Sequence, residues 1–175
     1  MAALPLNDDY PVRRAPVVAF GLIAVNVLVY LVSPQSATAV WYPADAVGRY
    51  CAIDDYFMRW GAIPDELLGR VDLAGPLSPT CEGIAGKSVW FSVFSSMFLH
   101  AGAMHLLGNM VYLFVFGPVV EDRIGKLRFL ALYLGTGIVA ALGFALVDSD
   151  GTVPMVGASG AISGVLGAYL VVQFR

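Results

Sequence analysis

The run LRFLALYLGTGIVAALGFALV at positions 127–147 decides the fold, because beyond Arg128 it carries no charge at all. A helix needs about 20 apolar residues to cross the roughly 30 Å of hydrocarbon in a bilayer, and this run supplies them without interruption. Composition agrees with a lipid solvent. The chain is 58% hydrophobic and only 13% charged, with a mean hydropathy of +0.75, whereas charged residues make up about a quarter of soluble domains. Outward from 127–147, apolar runs recur at 15–32, at 104–120, and from Ser159 to at least Phe174. The expectation is an all-α, polytopic transmembrane helix bundle of four spans.

The flanking charges orient that bundle. Arg13 and Arg14 precede the first run, and Arg123, Lys126 and Arg128 lie between the second and third. Basic residues are retained on the cytoplasmic side, so the N-terminal segment 1–14 and the connection near Lys126 are expected to be cytoplasmic. Residues 15–175 then form one membrane domain with a long outward loop at 33–99. In that loop Asp45, Asp54, Asp55, Asp65, Glu66, Asp72 and Glu82 outnumber Arg49, Arg59, Arg70 and Lys87, while Asp148 and Asp150 precede Ser159 with no base beside them. The net charge of -3 offers no basic stripe for nucleic acid. The lipid bilayer is the implied partner.

The outward loop is rich in rings, from Trp41 and Tyr42 through Trp60 to Trp90, Phe91, Phe94 and Phe98. Rings of this kind suit the headgroup interface, and a small packed outer subdomain would use them equally well. Cys51 and Cys81 are both in this loop, on the side where disulfides persist, so a bridge and a pair of free thiols are both open. Two thiols without a nearby histidine make an incomplete metal site, and none is expected.

Polar residues inside apolar runs are costly, which makes them functional candidates. His105 and Asn109 are spaced i and i+4, hence on one helix face, and Gly108 offers a close approach there. Ser159 opens the last run from the turn Gly157-Ala158-Ser159-Gly160. A bland use of the same residues exists, with Ser159 capping its helix and His105 and Asn109 bonding between helices.

Three blocks bear on that choice: Phe98-Leu99-His100-Ala101-Gly102-Ala103-Met104-His105-Leu106-Leu107-Gly108-Asn109-Met110, Val120-Glu121-Asp122-Arg123-Ile124-Gly125, and Val156-Gly157-Ala158-Ser159-Gly160-Ala161-Ile162. Together they resemble the rhomboid family of intramembrane serine proteases. The resemblance implies that Ser159 is the nucleophile, that His105, Asn109 and the Ser159 N–H form the oxyanion hole, and that substrates are transmembrane proteins. It implies no cofactor. Glu121 and Arg123 look like the family's cytoplasmic-side structural pair, His100 like an organiser of the loop, and Gly157 and Gly160 like packing positions. In this family the histidine that activates the serine comes from a sixth span. Both histidines here precede Ser159, so the chain is expected to be the N-terminal part of such a protease, covering four spans and inactive by itself. The alternative is a non-catalytic rhomboid-like protein that holds transmembrane helices without cutting them.

Overall fold

A computed structural model describes residues 13–69, 81 and 87–173. Positions 1–12, Arg70, Asp72, Glu82, Phe174 and Arg175 lie outside the described residues. The helices are α1 (Val17–Val32), α2 (Ala46–Trp60), α3 (Pro64–Leu67), α4 (Val89–Ser95), α5 (Ala103–Ile124), α6 (Lys126–Val147) and α7 (Ser159–Gln173), with a single 3-10 turn at Ser96–Phe98 after α4. Among the described residues the only β pairing is an isolated antiparallel bridge between Ala62 and Met155.

Local chemistry explains the boundaries. Pro16 lacks an N–H and precedes the first helical residue of α1, and extended Ser33, followed by Pro34, ends it. At the start of α2 the Asp45 carboxylate accepts the Gly48 N–H at 2.7 Å. Between α5 and α6 a single residue, Gly125, turns the chain at φ 86, a value that favours glycine.

Among the described residues, only α5 and α6, each of 22 residues, are long and apolar enough to cross a membrane. Two of the four expected runs are helices of span length among the described residues. Helix α1 has 16 residues, which is about 24 Å at 1.5 Å per residue, and α7 is described over 15. Both are apolar, α1 falling short of a span by length and α7 described only to Gln173.

The core lies where α1, α5, α6 and α7 meet, with Leu22, Leu113, Phe129, Tyr133, Ile162 and Val165 buried together. Small residues set the helix approaches, as they must where lipid is as apolar as the core. A Cβ on Gly117 would come within 3.1 Å of the Ala19 Cβ, and one on Gly160 within 2.6 Å of the Ala140 Cβ. The expected close approach at Gly108 is absent among the described residues, since none of them lies within 4 Å of a Cβ built there. The reason is rotational: α5 turns Gly117 towards α1, while α7 presents Gly160 and Gly164 to Ala140 and Thr136 of α6.

The basic-side connection is tied to α1 through Glu121. This carboxylate is 2% exposed, and its two oxygens accept the N–H groups of Val18 at 3.1 Å and Ala19 at 2.7 Å. Asp122 accepts those of Arg13 and Arg14 in the same way. The two acids of α5 thus satisfy orphan donors at and before the start of α1, where the helix dipole also favours negative charge. Arg123 lies exposed in the last turn of α5. Glu121 thus also serves as a cap for another helix.

Candidate active site

The site is assembled at one end of the four-helix core. His105 and Asn109 occupy the first turns of α5, and the Asn109 amide, 8% exposed, donates to the His105 carbonyl at 3.1 Å. Gly157 faces both side chains. Its φ of 121 is one that side-chain-bearing residues rarely adopt, and a Cβ there would stand 2.8 Å from His105 Cε1, 2.9 Å from His105 Nε2 and 3.7 Å from Asn109 Nδ2. Only glycine lets the backbone of this turn lie against the imidazole and the amide. Two residues later comes Ser159.

Ser159 is the first residue of α7. The cap position is held by Ala158, whose carbonyl accepts the Ile162 N–H at 2.9 Å. The capping reading of Ser159 accordingly lapses, and among the described residues its exposed hydroxyl makes no hydrogen bond. The N–H groups of Ser159, Gly160 and Ala161 precede the first intrahelical bond and remain free to meet negative charge. A cleft of about 320 Å³ opens beside Ser159, walled by Ser96, Met97, Ala140, Phe144 and Met155.

His100 precedes α5 instead of riding on it, which is how it reaches His105 despite their spacing. The two rings meet edge to face with centroids 5.2 Å apart. His100 is 2% exposed, and among the described residues neither ring nitrogen has a partner in full hydrogen-bond geometry. Burial first, then the neighbouring His105, lowers its pKa to about 4 against an opposing contact with the Phe98 backbone. It therefore stands as a neutral ring behind His105 at physiological pH.

Sequence reasoning did not anticipate what holds the turn before Ser159. The Gly157 N–H donates to the Ser96 carbonyl at 2.9 Å, Ala62 and Met155 exchange backbone bonds at 3.3 and 2.7 Å, and the Asp65 N–H donates to the Gly151 carbonyl at 3.2 Å. These contacts link segments far apart in the chain and have no local pattern. Cys51 and Cys81 are bonded to each other, and Lys87 pairs with Glu66 at 2.5 Å with both side chains largely buried.

A family model for the Rhomboid domain matches residues 87–175, a span that contains His100, His105, Asn109 and Ser159. The chain belongs to the rhomboid family. It is 44% identical over 87 residues to the putative rhomboid protease YdcA of Bacillus subtilis, a match covering 49% of this chain and 43% of that protein. It is 36% identical over 120 residues to RHOMBOID-like protein 5 of Arabidopsis thaliana, covering 60% and 39%. To the rhomboid protease AarA of Providencia stuartii it is 38% identical over 95 residues, covering 47% and 34%. The chain thus spans less than half the length of these relatives. No solved structure matches it. The apolar α5 and α6 fit an integral membrane protein, as the rhomboid family is.

Proposed function

We propose that this rhomboid chain carries the nucleophile and the oxyanion donors of an intramembrane serine endopeptidase acting on transmembrane proteins. The observation that supports it most is the packing of Gly157 against His105 and Asn109, which sets the Ser159 turn beside two side-chain donors. Ser159 Oγ would add to the scissile carbonyl while a base takes its proton. The negative oxygen would be held by Asn109 Nδ2, the His105 imidazole and the Ser159 N–H. Its collapse breaks the scissile C–N bond, the amine leaving with the proton the base had taken. Water, deprotonated by the same base, then hydrolyses the acyl ester to free the acid and restore the serine hydroxyl. Serine acyl transfer of this kind needs neither metal nor organic cofactor.

His105 serves here as donor, and His100 is buried behind it. The reading therefore requires an imidazole base from outside these 175 residues, as the family resemblance implies. Four membrane-embedded helices with the N-terminus cytoplasmic complete the proposal.

The test is cleavage of a transmembrane reporter in proteoliposomes. The 175-residue chain alone is expected to be inert. Joined to a rhomboid segment bearing the base histidine it should cleave, Ser159→Ala should abolish that activity, and Asn109→Ala should lower it by about 10² to 10³. If the chain alone cleaves and Ser159→Ala stops it, the base is within the chain and the donor role of His105 is wrong.

A further inference from the structure

The turn that delivers Ser159 is clamped by a part of the molecule outside the 87–175 family match. Gly61, at the end of α2, is pressed against it: a Cβ there would lie 2.7 Å from the Pro154 Cβ. The next residue, Ala62, makes the bridge to Met155, and Asp65 bonds to Gly151. This corner is itself braced. The Ser95 hydroxyl donates to the Trp60 carbonyl at 2.6 Å, Glu66 pairs with Lys87, and Cys51 in α2 is joined to Cys81. Burial lowers the Lys87 pKa, and Glu66 opposes that effect by holding the charge.

We propose that the Gly61–Ala62 corner, braced by the Cys51–Cys81 bridge, positions the Ser159 turn, so that opening the bridge slows the serine's chemistry without altering substrate affinity. The proposal rests on Ser159 being the nucleophile. Its geometry follows from rigidity. Met155 lies two residues before Gly157, and with no regular strand or helix between Asp148 and Ala158, the path of this segment is fixed by its partners. Freed from Ala62 and Asp65, it would keep, among the described residues, the Ser96 bond to Gly157 and the packing of Gly157 on His105. A turn held at fewer points samples more orientations and displaces the Ser159 hydroxyl from a fixed place beside its cleft. Misplacement by about 1 Å can cost about 10²-fold in rate.

The experiment follows hydrogen exchange and catalysis on the same preparation in lipid nanodiscs, before and after dithiothreitol. The reagent's two thiols close to a cyclic disulfide as Cys51 and Cys81 each take up a hydrogen. Exchange at the Met155 and Gly157 amides should accelerate about tenfold or more, while α5 and α6 stay protected. In the form joined to the base histidine, kcat should fall with KM unchanged, and reoxidation should restore it. The double variant Cys51→Ser/Cys81→Ser should show the slowed kcat permanently and ignore the reductant; if it does not assemble, the reduced native chain supplies the result. Unchanged exchange at Met155 and Gly157, or faster exchange with an unchanged kcat, would overturn the proposal. Cleavage surviving Ser159→Ala would instead remove the nucleophile reading and leave the exchange result standing.

Discussion

At the scale of single residues, Gly157 and Gly108 separate what a glycine does from where it stands in a motif. Both lie in the blocks that mark the family, yet Gly157 has a positive φ and no room for a side chain, while Gly108 borders open space. Alanine at 157 incurs a backbone penalty of about 1–2 kcal/mol, and its methyl group must displace the His105 ring. Gly157→Ala is therefore expected to lower cleavage about as much as loss of an oxyanion donor, roughly 10² to 10³-fold, in the form joined to the base histidine. By contrast, Gly108→Ala in this chain should be neutral or stabilising by up to about 1 kcal/mol, because alanine is the better helix former. Thermal melts in detergent and reporter cleavage read the two effects. Equal tolerance at both positions would remove Gly157 from the site. The spacing of His105 and Asn109 was legible because a helix repeats locally. Which glycine faces which helix depends on rotation, and a sequence does not print rotation.

At the scale of elements, α1 illustrates a stability device that no local pattern announces. It opens without a side-chain cap of its own. Its first donors are met by Glu121, a residue 102 positions away in sequence from the Ala19 whose N–H it accepts. Removing that carboxylate leaves two N–H groups without their acceptors at a partly buried helix start. Glu121→Ala should therefore cost about 1–2 kcal/mol, in line with the upper range for lost caps, with faster amide exchange at Val18 and Ala19. Glu121→Gln keeps one acceptor and should cost less. Identical melting of both variants and the wild type would show that α1 is held by packing alone. The apolar run of α6 could be read directly, since it is encoded in one uninterrupted stretch. The clamp of Ala62 on Met155 could not, because backbone pairing between distant loops leaves no side-chain signature. Over its described residues the loop at 33–99 packs as short helices with a disulfide and exposes Trp41, Tyr50 and Trp90, rings of a kind that also suits a headgroup interface.

At the scale of the whole molecule, the charges and the fold constrain one another. Arg13, Arg14 and the Arg123–Arg128 connection carry the basic residues that flank the apolar helices, and the hydrogen bonds from Arg13 and Arg14 to Asp122 bring these two clusters together at one end of the bundle. The Ser159 turn is bonded to Ala62 and Asp65 of the outer loop, which belongs to the opposite end of α1. Since retained basic loops face the cytoplasm, the site should face outward, and the two ends should be distinguishable chemically. Cysteine substituted at Lys126, in a background with Cys51 and Cys81 replaced by serine, should resist a membrane-impermeant maleimide added to intact cells and react once the membrane is opened. Cysteine at Trp41 in the same background, 61% exposed on the outer loop, should react in intact cells. The reverse pattern would invert the bundle and place Ser159 towards the cytoplasm. Labelling of both positions in intact cells would mean that α5 does not separate two aqueous compartments, and the four-helix membrane arrangement would have to be abandoned.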